Sequence, residues 1–297
     1  MFKNYLFSCI LLISSCSLLL WASCDENAPF PLNLTPDTAQ DTTYIGTIEA
    51  AQSPNILVED FTGVQCVNCP QGHETLKNLE EAHPGRVIGV SIHAGYLSDP
   101  LPNSDSSFVL TQGLALYDLL GVSGLPAAAI NRVFFPGQGF TIVGSGNWAA
   151  KVNEQLTQTQ ASVNMYLDKQ YDATTRQLSI VAELRYPQTI DNNIEHRINV
   201  YIAESGIIDP QETTENGETF IIEDYEHNSV LRQMVTFVDG SVVDTPDKQA
   251  GRVVVKTFNL TLPANFDANH CHIISFVQEK TSDSQKVLQV QRSPIVD

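Results

Sequence analysis

The hydrophobic pattern of the chain changes near residue 160. From about Thr43 to Gln158, compact apolar runs alternate with longer amphipathic ones, as in "NILVEDF" followed by "CPQGHETLKNLEEAH". After Gln160, apolar residues recur at every second position, as in "ASVNMYL" and "QLSIVAEL". Alternating strands and helices indicate an α/β unit, whereas a period of two indicates half-buried antiparallel strands. The pattern therefore predicts two domains, 44–159 and 160–297.

Each predicted domain has its own set of elements. The first should contain three helices, "CPQGHETLKNLEEAH", "FVLTQGLALYDLLG" and "WAAKVNEQLTQ", the last capped by Asn147. The second should contain seven strands separated by polar turns, which is typical of an immunoglobulin-like antiparallel β-sandwich. The acidic run from Glu212 to Glu226 is predicted to be a solvated loop.

The N-terminus has the layout of an export signal. Residues 1–23 combine one Lys near the start, an apolar run, no acid and small residues just before Cys24. "WASC" resembles the lipobox of bacterial lipoproteins, which implies that Cys24 is acylated and becomes the mature N-terminus; "ISSC", ending at Cys16, is a second candidate. Residues 24–43 are rich in Pro, Thr and Asp and are predicted to be a flexible tether.

The charge balance of the chain limits the classes of partner that it can bind. The chain has 34 acidic and 16 basic residues, a formal net charge of −18. The resulting negative field repels nucleic acid, so a nucleic-acid partner is not expected. The membrane would be reached through the N-terminal lipid instead.

Two cysteines, Cys66 and Cys69, stand three apart where a predicted strand gives way to a predicted helix. Under oxidising conditions outside the cytoplasm they can pair with each other, which leaves Cys271 as the odd cysteine. The free N–H groups of a helix start favour a thiolate, so Cys66 is predicted to face solvent and attack, and Cys69 to resolve. An inert disulfide and a metal site that adds His73 are the alternatives. No cofactor or metal is expected.

"ILVEDFTGVQCVNC" resembles the active-site strand and helix start of the thioredoxin superfamily. The resemblance implies that Asp60 assists proton transfer at the resolving cysteine, with Glu59 as a rival for that role. "GVSGLPAAAI" is similar to the segment that carries the cis-proline of that fold, so Pro126 would shape a substrate groove. Gln65 departs from the family pattern, which has Trp before the first cysteine.

The lipobox, "EDFTGVQCVNCP" and "YEHNSVLR" (Tyr225 to Arg232) together resemble the outer-membrane protein 28 family of bacterial lipoproteins. The resemblance implies an outer-membrane location in the cell envelope, with possible exposure at the surface. The expected function is thiol–disulfide exchange on exported proteins through Cys66, Cys69, Asp60 and Pro126. The alternative is a surface binding or adhesion lipoprotein that uses the thioredoxin-like domain as a scaffold.

Overall fold

The computed structural model of the chain describes residues 40–136, 141–282 and 284–297. These residues belong to one compact unit, Asp37–Asp297. The other unit, Met1–Pro36, lies outside the described residues, as do the predicted signal peptide and lipidation site.

Most of the described chain is β-sheet. The helices are α1 (Cys69–Ala82), α2 (Thr111–Leu119) and α3 (Trp148–Leu156). The strands are β1 (Gln40–Ile45), β2 (Ile56–Thr62), β3 (Val87–His93), β4 (Ala127–Ile130), β5 (Ile142–Gly144), β6 (Asn164–Asp172), β7 (Gln177–Arg185), β8 (Glu195–Glu204), β9 (Ile207–Ile208), β10 (Gln211–Glu215), β11 (Glu218–Ile222), β12 (Glu226–His227), β13 (Val230–Met234), β14 (Ser241–Val242), β15 (Arg252–Thr261), β16 (Cys271–Lys280) and β17 (Val287–Pro294).

One large mixed sheet holds nine strands. Eight follow the order β17-β16-β8-β13-β3-β2-β4-β5, and β14 pairs with β8. β2 and β3 are parallel neighbours, and every residue of both is buried. Such strands need cover on both faces, and the helices supply it. Ile56 and Val58 pack in a core with residues of α1 and α3 on one face, while Leu57 packs in a core with Leu116 of α2 on the other.

A second, four-stranded antiparallel sheet has the order β1-β15-β7-β6. Alternate residues of β7, such as Leu178 and Ile180, share a core with Val200 of β8 and Ile273 of β16. Two sheets that bury their facing side chains in one core form a sandwich. The all-β prediction for the second half fits this arrangement, and its seven predicted strands correspond to β6, β7, β8, β13, β15, β16 and β17.

The large sheet extends across both predicted domains, named below the α/β half (44–159) and the β-rich half (160–297). β13 joins β3 in parallel at the pair Val230 and Ser91, and the amide of Ser91 donates to the carbonyl of Ser229 over 2.8 Å. The hydrophobic core under α2 also contains residues of β8 and β16. The two halves therefore share both a sheet and a core.

The prediction for the acidic run from Glu212 to Glu226 is wrong. It forms the hairpin β10–β11, in which Thr213 pairs with Phe220, and then β12. Asn216 and Gly217 turn the hairpin with φ angles of 53° and 87°, the left-handed geometry that tight hairpin turns require. The turn and the backbone determine the strand pairing here, because neither "QETTE" nor "ETFII" shows an alternation of apolar and polar residues.

Two smaller differences concern the ends of elements. Residues Gln40 to Thr43, predicted to belong to the tether, pair with β15 as part of β1, where Lys256 forms an ion pair with Asp41. Asn147 does precede α3, but its side chain makes no capping hydrogen bond. A short 3-10 turn leads into α3 instead.

Candidate functional site

The predicted cysteine pair lies between β2 and α1. Cys66 and Cys69 form a disulfide with their Cα atoms 5.3 Å apart. The amide of Cys69 donates to the carbonyl of Cys66 (2.9 Å), and that of Cys66 to the carbonyl of Gly63 (3.0 Å). Gly63 has no room for a side chain, because a Cβ would lie 2.3 Å from the carbonyl oxygen of Leu97. α1 begins at Cys69 with Pro70 in its first turn, so the pair lies at a helix N-terminus that favours a thiolate.

A segment of the β-rich half covers this disulfide. The side-chain amide nitrogen of Gln211 lies within hydrogen-bonding distance of four backbone carbonyls, those of Gly63 (3.2 Å), Val64 (3.1 Å), Cys66 (3.3 Å) and Glu212 (2.9 Å), which share its two N–H groups. The amide of Glu212 also donates to the carbonyl of Val64 over 2.8 Å. Cys66 is only 2% exposed, so the prediction that it faces solvent is wrong. A helix start orients two cysteines relative to each other but does not determine what a later segment places over them.

The two candidate carboxylates of β2 have different surroundings. Glu59 accepts hydrogen bonds from the Nε (2.7 Å) and an Nη (2.6 Å) of Arg132, and both side chains are fully buried. Asp60 is also fully buried, but neither of its oxygens has a hydrogen-bond partner among the described residues. Burial raises the pKa of Asp60 to about 8. Glu59 is therefore committed to an ion pair, whereas Asp60 is available to exchange a proton.

His73 connects Asp60 to the β-rich half. It lies one helical turn after Cys69, so the two side chains share a face of α1. Its Nε2 is 2.8 Å from the hydroxyl of Thr62 and 3.7 Å from a carboxyl oxygen of Asp60, and its Nδ1 is 2.8 Å from the hydroxyl of Tyr225. Burial, and next the proximity of His227, lower the pKa of His73 to about 3. At neutral pH, His73 is therefore an uncharged imidazole beside a protonated Asp60, and the two do not form an ion pair.

A cavity of about 690 Å³ lies between α1, β3 and the segment 225–230. His73, His93, Tyr225 and His227 line part of it. Burial lowers the pKa of His227 to about 4 and that of His93 well below its ordinary value. The ring of His227 lies 5.6 Å from that of His93 and 4.8 Å from that of Tyr225. Three neutral imidazoles thus line part of the cavity.

Pro126 lies beside the first turn of α1, and its peptide bond with Leu125 is cis. A Cβ built on Gly72 would lie 3.1 Å from the Cβ of Pro126 and 3.3 Å from the ring of Trp148. The absence of a side chain at Gly72 therefore lets α1 approach the proline closely. The four predicted site residues, Cys66, Cys69, Asp60 and Pro126, all lie around the start of α1.

Other candidate features have simpler explanations. Cys271 is a free, fully buried thiol whose pKa is raised to about 12 by burial, so it is unreactive. The described ranges contain no group of three or more His, Cys, Asp and Glu side chains placed to hold a metal ion. No helix in the described part of the chain is long and apolar enough to cross a bilayer.

Sequence reasoning missed three residues of this site, Tyr225, His227 and Gln211. All three come from the β-rich half, and Tyr225 and His227 belong to "YEHNSVLR", which the sequence marks only as a family motif. Tyr225 is 152 positions from its partner His73. The motif pointed to two of the three residues, but nothing local indicates that they meet α1.

Comparison with known proteins identifies the class of this chain. The family described as outer membrane protein Omp28 matches residues 114–297, which is more than half of the chain. The chain therefore belongs to the Omp28 family. This confirms the predicted location, the outer membrane of the bacterial envelope. Acylation of Cys24 itself stays a prediction.

Similar solved structures include HBP35 of Porphyromonas gingivalis, with a TM-score of 0.63 and 16% identity over 83% of this chain and 76% of that one. A structural-genomics protein from Agrobacterium tumefaciens has a TM-score of 0.47 and 13% identity over 82% and 95% of the two chains. A domain of the outer membrane lipoprotein Omp28 from Porphyromonas gingivalis has a TM-score of 0.28 and 16% identity over 44% and 86%. No curated protein sequence matches the chain significantly.

These matches support some of the predictions and not others. At this identity, the likeness to HBP35 concerns the fold alone. The thioredoxin resemblance stays a prediction, and no match supports thiol–disulfide exchange. Family membership fits an outer-membrane binding role better than it fits an enzyme.

Proposed function

We propose that this chain is an outer-membrane lipoprotein that acts by binding at the envelope surface. In this proposal a thioredoxin-like α/β half serves as the scaffold for the β-rich half. The cover over the disulfide is the observation that carries the proposal. Thiol–disulfide exchange requires the attacking sulfur to reach a sulfur of the pair, and here both cysteines are buried where Gln211 and Glu212 bond to the backbone of residues 63–66.

A comparison of reductants tests the scaffold role. Dithiothreitol and a reduced protein dithiol such as thioredoxin should be applied to the native chain and to the chain unfolded in urea. We expect the rate with the protein dithiol, relative to dithiothreitol, to fall on folding by about tenfold or more, because brief local opening admits small molecules more readily. An unchanged ratio would show an open site and contradict the scaffold role.

The binding role has its own test. A chain with Cys66→Ser and Cys69→Ser should retain its envelope location and the partners that chemical cross-linking captures with the unchanged chain on intact cells. Loss of those partners, in a variant that unfolds at the same denaturant concentration, would mean that the thiols take part in the interaction.

Thiol–disulfide exchange on exported proteins is the second candidate, and the surroundings of Asp60 favour it. A buried carboxyl group with a pKa near 8, next to a histidine one turn from Cys69, can release its proton to that histidine and then accept the proton of a resolving thiol. Cys66 would attack, Cys69 would resolve and Pro126 would border the substrate groove, once the cover opens.

Trapping distinguishes this second candidate from the first. Cys69→Ser should hold exported partners as mixed disulfides with Cys66, because the resolving attack is missing. The double variant Cys66→Ser/Cys69→Ser is the matched control and should hold none. Absence of trapped partners in the single variant would reject the exchange function and leave binding as the remaining candidate.

Anchoring through lipid is part of both candidates. Two or more acyl chains give stable membrane attachment, so Cys24→Ser should release the protein from the membrane fraction or leave its signal uncleaved. Unchanged acylation in that variant would move the lipidated residue to Cys16.

A further inference from the structure

The motif "YEHNSVLR" has no role in the binding proposal, yet two of its side chains reach the cysteine site. The hydroxyl of Tyr225 lies 2.8 Å from Nδ1 of His73, and the ring of Tyr225 packs 4.8 Å from that of His227. His227 is itself held in place by a contact of 3.2 Å between its Nε2 and the carbonyl of Asp209. The β-rich half thus presents a fixed hydroxyl group to α1.

His73 has a partner on each of its ring nitrogens. Nε2 faces Thr62 and Asp60, and Nδ1 faces Tyr225. An imidazole in this position can accept a proton at one nitrogen and release another at the opposite nitrogen. The side chain of His73 is 17% exposed, and it lines the cavity that Tyr225 also lines.

Asp60 lies at the inner end of this series of groups. Asp60 is fully buried, and its carboxyl group has no hydrogen-bond partner among the described residues. A proton that leaves it therefore needs a carrier. Nε2 of His73 lies 3.7 Å from the carboxyl group of Asp60. The other titratable and charged groups that line the cavity around His73 come from α1, β3, the segment 225–230 and the strands beyond: Glu74, Lys77, Glu80, Glu81, His93, Glu226, His227, His272 and Arg292.

We propose that His73 and Tyr225 form a proton path between Asp60 and the cavity beside α1, and that this path serves the Cys69 thiol whenever the Cys66–Cys69 disulfide forms or breaks. The inference rests on the second candidate function, thiol chemistry at this pair. His73 and Tyr225 act through Asp60, so they are positioning residues.

Oxidised glutathione can oxidise the two thiols in two successive steps. The Cys66 thiolate attacks one glutathione sulfur and expels the first glutathione thiolate, which leaves a mixed disulfide. Asp60 first releases its own proton through His73. The Cys69 thiol then gives its proton to the Asp60 carboxylate, and the Cys69 thiolate attacks the Cys66 sulfur and expels the second glutathione thiolate. Two protein thiols become one disulfide, and one oxidised glutathione becomes two reduced ones. The proton that Asp60 releases at the start passes to Nε2 of His73, whose Nδ1 releases another toward Tyr225.

The experiment separates the two chemical steps. The full chain, purified from envelopes in detergent and reduced, is mixed with oxidised glutathione, quenched with acid at short times and analysed by mass spectrometry. Formation of the mixed disulfide and its closure to the protein disulfide are then measured separately. The variants are His73→Gln, which keeps hydrogen-bonding groups but cannot relay a proton, and Tyr225→Phe; exposed His270→Gln is the control.

At pH 7 we expect His73→Gln to slow closure by about 10- to 100-fold, within the usual contribution of acid–base groups, and Tyr225→Phe to slow it less. Mixed-disulfide formation should be unchanged, because it does not use Asp60. Free imidazole in the buffer should partly restore closure in His73→Gln but not accelerate the unchanged chain. A purely structural role for His73 predicts no such rescue.

Equal effects on both steps, unchanged closure in His73→Gln, or a reduced chain that does not react with oxidised glutathione would each overturn the proton path. Failure of the exchange function gives a different result. Closure that depends on His73, in a chain whose Cys69→Ser variant traps no exported partner, would uphold the path and reject exchange with exported proteins.

Discussion

The side-chain amide of Gln211 lies 3.3 Å from the carbonyl oxygen of Cys66, to which it donates a hydrogen bond across 145 positions of sequence. The same amide reaches the carbonyls of Gly63 and Val64, which precede the disulfide. One fully buried polar side chain therefore connects the turn that carries the disulfide to the hairpin β10–β11. Access to the cysteines depends on this connection.

Replacing Gln211 should make the disulfide easier to reduce. Gln211→Ala removes the side-chain donor that these three carbonyls share, at a cost of roughly 1–2 kcal/mol in the closed state. If reduction proceeds through the open state, its rate with dithiothreitol should rise about 5- to 30-fold. Exposed Gln249→Ala is the control and should leave the rate unchanged, and an unchanged rate in Gln211→Ala as well would mean that the cover does not limit access.

Removing one member of the buried ion pair should destabilise the fold strongly. Arg132→Met leaves Glu59 fully buried without its counter-charge, which typically costs about 3–5 kcal/mol. Chemical denaturation should show this loss, and the double variant Glu59→Gln/Arg132→Met should recover part of it. If Arg132→Met lowers the free energy of unfolding by less than about 1 kcal/mol, the result would contradict a fully buried ion pair.

Asp60 should make the folded chain less stable as the pH rises. Its pKa is raised from an ordinary value of 3.8 to about 8, so between these values the folded chain holds a proton that the unfolded chain has released. The free energy of unfolding should therefore fall with increasing pH by up to about 1.4 kcal/mol per pH unit from this group. Asp60→Asn should remove that slope, while exposed Asp118→Asn should not; parallel slopes in all three chains between pH 5 and 8 would contradict a buried, protonated Asp60.

The buried histidines should make the folded chain less stable as the pH falls, which is the opposite of the effect of Asp60. The pKa values of His73, His196 and His227 are lowered to about 3, 4 and 4, first of all by burial. Below about pH 6.5 the unfolded chain gains protons that the folded chain does not, so stability should fall as the pH drops. After the opposing contribution of Asp60, we expect a slope of about 2–3 kcal/mol per pH unit between pH 6 and 4. His196→Gln should reduce the slope by about 1.4 kcal/mol per pH unit and His270→Gln should not, whereas constant stability from pH 6.5 to 5 would be inconsistent with neutral buried imidazoles.

The hydrophobic pattern along the sequence was sufficient to predict the long strands and the first helix. The period-two runs predicted the seven long strands of the β-rich half, because one face of each is buried in a core. The helix that follows Cys66 could be located because Leu76 and Leu79 recur on one face. The hairpin β10–β11 was missed, although "NG" at Asn216 and Gly217 between two runs of Thr, Glu and Phe is itself a hairpin signal.

Contacts between distant parts of the chain could not be predicted in this way. Glu59 and Asp60 are adjacent and equally buried, and what distinguishes them is Arg132, which lies 73 positions from Glu59. Likewise, the backbone of Cys66 bonds to Gln211, which is fully buried although its type and neighbours in sequence suggest a surface residue. A single sequence gives the spacing of such groups along the chain but not which of them meet.

The bridge between β3 and β13 has a consequence for the order in which the chain can fold. Val230 pairs with Ser91 at the edge of β3, so this edge cannot be paired until the intervening chain has emerged. Non-local pairing of this kind is slow, and an unpaired strand edge invites association with other chains. A chain that emerges into the envelope from its N-terminus therefore exposes the edge of β3 until β13 has been exported, and during that interval it depends on the factors that protect nascent chains there.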